Sequence, residues 1–238
     1  MYVSGEYEKA SPTWHEEDSP WKVEQIFRVF DFQPRNRPMK ICDIGCGVGG
    51  VLAALDDLLQ TRSIYADMTG YDISLVAIER ARINCREKHN IKFECCDVLS
   101  LDRLECDLCL LIDVLEHLED PRGFLVKLCE RGIREFVVHL PLENTWAGTL
   151  RGKTNPRRSP VGHLHFYKTY SGLSLLREAG LKVNRWVYTP EFNLDVRLHR
   201  TFLSVLAYLP HKAFFDVWPK MVAHSVGGVS LMSWCSLI

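Results

Sequence analysis

Residues 39–50 read Met39-Lys-Ile-Cys-Asp43-Ile-Gly45-Cys46-Gly47-Val-Gly49-Gly50. A short apolar strand carrying Ile41 and Ile44 runs into an acid and a glycine-dense turn, and Val51 to Leu59 continues as a helix. A strand feeding a glycine turn at a helix N-terminus is how α/β folds hold an adenosyl cofactor. Glycine is needed there because it tolerates positive φ and leaves the backbone open to ligand atoms that any Cβ would block. Gly45-x-Gly47-x-x-Gly50 also fits the dinucleotide fingerprint, so the glycines alone leave the cofactor open. Asp43 weighs against a dinucleotide, because a carboxylate at the strand end repels pyrophosphate and attracts a cationic amino group.

The chain has 238 residues, a net charge of −1 and 47% hydrophobic residues, which fits one large domain with its own core. A near-neutral balance gives no global attraction to nucleic acid or to an anionic membrane. No stretch approaches the roughly 20 uninterrupted apolar residues that span a bilayer. Met1 to Ala10 is polar and acidic, unlike a secretory signal. Nine cysteines, an odd number spread through apparent core strands, suggest a reducing compartment and a cytoplasmic location. Cys106-x-x-Cys109 has no second CxxC to complete a metal site, so these thiols, like Cys42 and Cys46, read as packing residues.

Outward from the turn, strand and helix alternate. Trp21, Ile26, Phe27 and Phe30 outline an amphipathic helix after Pro20, ended by Pro34 and Pro38. Tyr71-Asp72 closes a second strand, and Ser74 caps a helix to about Glu87 with Leu75, Ile78 and Ile83 as apolar positions. Ile91 to Cys95 is a third strand, closing at Cys96-Asp97, and Asp107 to Ile112 is an apolar run suited to a strand covered on both faces. A helix from Pro121 to about Glu130 leads to a fifth strand, Ile133 to Leu140. This order predicts an α/β fold with a parallel sheet. Residues 141–162 read as a long loop, Thr169 to Ala179 as a helix stopped by Gly180, and Leu181 to Tyr188 as a strand. A helical insert from about Asp195 to Leu209 and a closing strand, Val226 to Trp234, suggest an antiparallel pair at the sheet edge.

Successive strands end in Asp43, Asp72, Asp97 and Asp113. Ligands of open α/β sheets bind beyond the carboxyl ends of the strands. Asp72 follows the turn at the spacing of a ribose-binding acid, roughly 20 residues. Any one of these acids also fits a helix cap or a solvated loop, but four at consecutive strand ends form a pattern.

The segments 41–50, Gly-Tyr-Asp-Ile-Ser (70–74), Cys-Cys-Asp-Val (95–98) and Asp-Val-Leu-Glu-His-Leu (113–118) occur in the order found in class I S-adenosylmethionine (SAM) methyltransferases. The chain resembles that family over about residues 14–190. The Glu-His-Leu segment, Gly162-His-Leu-His-Phe-Tyr167 and Leu175 to Leu181 resemble its quinone-biosynthesis-like, small-molecule branch. The resemblance implies a Rossmann-like sheet of seven strands, order 3-2-1-4-5-7-6, with strand 7 antiparallel and helices on both faces. It implies Asp43, Gly45, Cys46, Gly47 and Gly49 at the methionine end of SAM, Asp72 and Ile73 at the ribose, and Asp97 and Val98 at the adenine. Asp113 would line the same site, and Trp14, His15 and Lys22 would belong to a lid over SAM. The expected organisation is a single domain over residues 1–238, with a lid and helix at 1–33 and acceptor-side segments at 141–167 and 190–220.

SAM carries its own electrophile, so the protein must align a nucleophile behind the methyl and exclude water. A hydroxyl nucleophile also needs a base with a pKa near neutrality. His117, His163 and His165 are the catalytic candidates; His139, Asn144, Arg157, Arg158 and Tyr167 are the substrate-binding ones. Asp113, Glu116 and His117, spaced i, i+3, i+4, could hold a divalent cation on one helical turn, although capping and packing is the favoured account. Arg151, Lys153, Arg157 and Arg158 read either as a solvated loop or as a clamp for an anionic acceptor. The apolar residues Phe202, Leu203, Val205, Leu206, Tyr208 and Leu209 fit a lid, a dimer face or core, so monomer and homodimer both stay open. The leading expectation is O-methylation of a small molecule. N- or C-methylation of a small molecule or protein, an NAD-dependent oxidoreductase and a non-catalytic SAM-binding protein are the alternatives. Nucleic acid is disfavoured, because the Asn/Asp-Pro-Pro-Tyr/Phe motif of amino-methylating enzymes is absent after strand 4.

Overall fold

The computed structural model describes residues 16–150, 162–190, 208–225 and 227–238. The expectations for Trp14, His15, Arg151, Lys153, Arg157, Arg158 and the insert over 191–207 lie outside these residues. A short 3-10 turn, Glu16–Asp18, opens into α1 (Ser19–Val29). Then follow β1 (Met39–Ile44), α2 (Gly50–Thr61), β2 (Ala66–Asp72), α3 (Leu75–Asn84) and β3 (Ile91–Cys95). The second half holds β4 (Leu108–Ile112), α4 (Pro121–Glu130), β5 (Glu135–Pro141), α5 (Trp146–Leu150), α6 (Thr169–Glu178) and β6 (Leu181–Pro190). It closes with α7 (Tyr208–Val217), α8 (Pro219–Ser225) and β7 (Val229–Leu237).

The seven strands form one sheet in the order β3-β2-β1-β4-β5-β7-β6. β1 to β5 are parallel, and β7 runs antiparallel between β5 and β6. The five parallel strands therefore present their carboxyl ends along one edge, where Asp43, Asp72, Asp97 and Asp113 sit. Every residue of β4 is buried, which is why that strand shows no alternation. One core lies under α1, α2 and α3 and includes Val23, Ile26, Leu52, Leu55, Ile78 and Ile41. The other lies under α4, α6 and α8, with Leu125, Leu128, Leu176, Val222, Phe136 and Leu111.

Some boundaries and burials differ from expectation. α1 stops at Val29, where Phe30 turns extended, before Pro34 or Pro38 is reached. The Ser74 hydroxyl caps α3 by accepting from the Ala77 N–H (3.3 Å), but the helix ends at Asn84 rather than near Glu87. Leu75 and Ile83 are exposed; α3 packs instead through Ala77, Ile78 and Ala81, a narrow stripe that brings the helix close to the sheet. The 141–162 loop contains the short helix α5. All nine cysteines are free thiols. Cys42 and Cys109 are buried, while Cys106 is only partly covered and its Sγ lies 2.9 Å from that of Cys42.

Candidate active site

The glycine turn is built by backbone geometry. Gly45, Gly47 and Gly49 adopt φ of +76°, +53° and +83°, values that favour glycine. The Gly45 and Cys46 N–H groups donate to the Tyr71 carbonyl at 2.7 and 3.1 Å, fastening the turn to the end of β2. A Cβ on Gly45 would lie 2.7 Å from Cγ2 of Val114, so the glycine turn also touches the turn that follows β4. Cys46 itself is buried. Gly49 caps α2 without a side chain, which leaves the first N–H groups of that helix facing the turn.

Asp72 accepts from the Gly47 N–H (2.9 Å) with one oxygen and from the Ser74 N–H (2.8 Å) with the other. Its carboxylate is therefore fixed in orientation, with further lone pairs left on both oxygens. Ile73 beside it is half exposed, offering a flat apolar surface at the strand end. Asp97 accepts from the Leu99 N–H (2.9 Å) and caps the 3-10 turn Val98–Ser100, in which the Val98 side chain is buried. The capping account considered for such an acid is thus its observed contact.

Asp43 is 2% exposed, and its Oδ1 has no hydrogen-bond partner among the described residues. Burial, with the charge of Asp72 added, pushes its carboxyl up to about 8, against the opposing pull of Lys22. A buried, unpartnered carboxylate oxygen at the foot of a glycine turn is suited to a cationic ligand group.

Asp113 and His139 take places other than those expected from sequence. Asp113 has φ +57°, in the left-handed region, which turns its side chain away from the following 3-10 turn Leu115–His117. One oxygen meets His139 Nδ1 at 2.5 Å and the other meets Lys22 Nζ at 2.9 Å. Burial alone would raise Asp113, but the charges of His139 and Lys22 overcome it and hold the carboxyl well below its usual range. His139 is buried, and its Nε2 reaches the Thr189 hydroxyl at 3.1 Å, so both ring nitrogens are engaged. It has no ring nitrogen left for an acceptor and instead links the ends of β5 and β6, through Asp113, to Lys22 on α1. The trio Asp113, Glu116 and His117 is therefore not assembled, because the left-handed residue breaks the helical spacing that would align it.

A different cluster forms beyond β4 and β5. Segment 162–167 crosses the carboxyl ends of these strands: Leu164 and His165 donate their N–H groups to the Glu116 carbonyl (2.8 and 3.1 Å), and Asn144 donates to the Tyr167 carbonyl (3.1 Å). This brings His163 against His117, ring centroids 4.8 Å apart. His163 Nδ1 lies 2.5 Å from Glu143 Oε2, and His117 Nδ1 lies 3.4 Å from the Gly162 carbonyl. In each ring Nδ1 faces an oxygen, and His117 Nε2 lies 4.0 Å from Glu116 Oε1. Glu116 is completely buried, and neither of its carboxylate oxygens has a hydrogen-bond partner among the described residues. Burial, then the charges of Asp113 and Glu143, raises its carboxyl well above the usual range. Burial and the neighbouring His163 lower His117 to about 4. His165 Nε2 and the Tyr167 hydroxyl are also buried without partners among the described residues, their rings stacked 6.1 Å apart.

The structure thus brings His117, His163, His165 and Tyr167 together and leaves His139 apart. Sequence reading missed Glu143. It lies just past the end of the fifth strand, so the same strand-end rule that selected the four aspartates would have flagged it.

A family model described as "Methyltransferase domain" matches residues 16–185. A curated relative, the carboxy-S-adenosyl-L-methionine synthase of Helicobacter pylori (strain P12), is 29% identical over 84 residues. That match spans 35% of this chain and about a third (33%) of the relative. Among solved structures, the methyltransferase in complex with the Haloferax volcanii Trm112 methyltransferase activator aligns with a TM-score of 0.66 at 16% identity, covering 99% of this chain and 97% of that one. Magnesium protoporphyrin IX methyltransferase from Synechocystis PCC 6803, with bound SAH, aligns with a TM-score of 0.60 at 16% identity over 97% and 86% of the two chains. The mitomycin 7-O-methyltransferase MmcR aligns with a TM-score of 0.58 at 18% identity over 92% and 54%. At these identities the structures speak for the fold, which is the one the sequence predicts. With the family match over most of the described residues, the chain belongs to the methyltransferase-domain family, as a class I enzyme whose methyl donor is S-adenosylmethionine.

Proposed function

We propose that the protein transfers the methyl group of SAM to a hydroxyl of a small-molecule acceptor. The observation that carries this reading is the cluster of buried Glu116, His163 and Tyr167 with partly buried His117 and His165, beside a turn that touches the glycine turn. A hydroxyl must lose its proton as it attacks the sulfonium methyl, and carboxylates and imidazoles are the groups suited to that. The neighbours named for porphyrin and mitomycin methylation act on small molecules, which agrees with the reading.

On the donor side, Asp43 would face the SAM amino group, with the turn at Gly45, Cys46, Gly47 and Gly49 following the methionine. Asp72 and Ile73 would hold the ribose, and Asp97 and the Val98 N–H the adenine. Lys22 and Asp113 would brace α1 over the methionine end, with Trp14 and His15 in the lid. His117, His163 and His165 act at the acceptor; Asn144 and Tyr167 line it. The clamp assigned to Arg157 and Arg158 would hold an anionic part of the acceptor, since the described wall is carboxylate and imidazole. No described helix is long and apolar enough to cross a membrane, and the near-neutral charge gives no attraction to nucleic acid.

The experiment is incubation of the protein with methyl-labelled SAM and fractionated metabolite extract. Label recovered in a methyl ether supports the reading. Label found only on nitrogen, carbon or protein, or release of none, would overturn it.

A further inference from the structure

Glu116, His117 and His163 each offer one ligand atom, and the three atoms lie within 4.8 Å of one another. Three features point to an occupant. Glu116 is 0% exposed, with neither carboxylate oxygen hydrogen-bonded among the described residues, a costly state unless something binds them. The His117 and His163 rings lie 4.8 Å apart, and His117 Nε2 is 4.0 Å from Glu116 Oε1, so the three side chains converge on one point. His163 is backed by Glu143 at 2.5 Å, the arrangement in which a second carboxylate fixes the ring orientation of a metal-ligating histidine. The backbone tethers from Leu164 and His165 to the Glu116 carbonyl bring the 162–167 segment to the turn after β4.

We propose that Glu116, His117 and His163 form a divalent transition-metal site on the acceptor side, with Glu143 orienting His163. The ligand set of two imidazoles and one carboxylate suits Zn²⁺, Co²⁺ or Fe²⁺ and leaves coordination positions open. Mg²⁺ fits poorly, because it takes oxygen ligands in a near-octahedral shell. The site differs from the helical-turn trio: Asp113 is occupied by Lys22 and His139, and His163, distant in sequence, takes its place. The proposal rests on the reading of this cluster as the acceptor side and names what activates the acceptor. A hydroxyl bound to the cation ionises near neutral pH and releases its proton to water. Its oxygen then forms the bond to the methyl carbon as the methyl–sulfur bond breaks, the electron pair staying on sulfur to give neutral S-adenosylhomocysteine.

The test uses full-length, chelator-treated protein titrated with Co²⁺ and followed by visible absorption, with Zn²⁺ competition and calorimetry. The expected result is one ion per chain, a d–d spectrum of a nitrogen/oxygen site, and no thiolate-to-cobalt charge-transfer band. The last point excludes the nine free thiols as ligands. Glu116→Gln and His163→Gln should each weaken binding by about 100-fold or more, and Glu143→Gln by roughly 10- to 100-fold. The wild-type spectrum carries the test even if a variant fails to fold. No saturable binding, a thiolate band, or affinity unchanged in folded Glu116→Gln would overturn the proposal. A parallel titration with S-adenosylhomocysteine separates its failure from failure of the methyltransferase reading, because donor binding needs none of these ligands.

Discussion

The donor half and the acceptor half of the carboxyl edge are finished to different degrees. Around the glycine turn, Asp72 is held by two backbone N–H groups and Asp97 by one, and only the Oδ1 of Asp43 is buried without a partner. Past β4 and β5, the other four such atoms among the described residues gather: both Glu116 oxygens, His165 Nε2 and the Tyr167 hydroxyl. Backbone tethers can pre-set a site for a ligand that is itself always the same, as SAM is. Side chains left unsatisfied cost stability and persist where a ligand completes them. The comparison therefore separates a donor site organised by the chain alone from an acceptor site that awaits its occupant.

Substitutions on the two sides should break this comparison in opposite ways. The largest effect is expected for Glu116→Gln. Steady-state turnover should fall by about 10²- to 10⁴-fold. The dissociation constant for SAM should stay within about twofold, because Glu116 is not part of the donor site. A comparable loss in SAM affinity would show that the two halves are one site.

Asp43→Asn should do the reverse. Losing a charged partner for the donor's amino group is expected to weaken SAM binding by roughly 10- to 100-fold in calorimetry. The same change should stabilise the ligand-free protein in a pH-dependent way. The folded carboxyl titrates at about 8 and the free one at 3.8, so the folded state holds the extra proton between these values. Wild-type stability therefore falls as pH rises through this window and levels off above about 8. The asparagine variant lacks that loss. It should melt several degrees above wild type beyond about pH 8 and converge with it toward about pH 4. Melting curves that stay parallel at all pH values would contradict the burial argument.

Gly45→Ala sharpens the point that the donor turn is a backbone device. It meets both a φ of +76° and a 2.7 Å approach to Val114. A loss of about 1–3 kcal/mol in denaturant unfolding is expected, with SAM binding weakened in step. Lys22→Met should have the smallest effect. It removes one partner of Asp113 but leaves His139 in place. A severalfold rise in the SAM dissociation constant, with faster proteolysis before β1, is expected. Identical proteolysis rates would detach α1 from the donor site.

What the sequence showed and what it hid divide along a similar line. The glycine turn, the Ser74 cap, the apolar run of β4 and the strand order rest on local backbone chemistry or on resemblance, and they were legible. The burial of α3 through Ala77, Ile78 and Ala81 was not, because small residues carry a weak apolar signal beside Leu75 and Ile83. The site contacts that went unread are long in sequence: Asp113 to His139 spans 26 residues, His139 to Thr189 spans 50, and His163 to Glu143 spans 20. Such pairs depend on which strands are neighbours and on which way a side chain turns at a single left-handed residue. Periodicity and spacing record neither. His139 looked like an acceptor ligand for this reason, and Glu143 was passed over.

The most direct test of a chain-organised donor site beside a separate acceptor site is calorimetric titration of S-adenosylhomocysteine into wild type, Asp43→Asn and Glu116→Gln. The account predicts equal, tight binding to wild type and Glu116→Gln and markedly weaker binding to Asp43→Asn. Equal binding by all three proteins, or loss in Glu116→Gln with retention in Asp43→Asn, would contradict it.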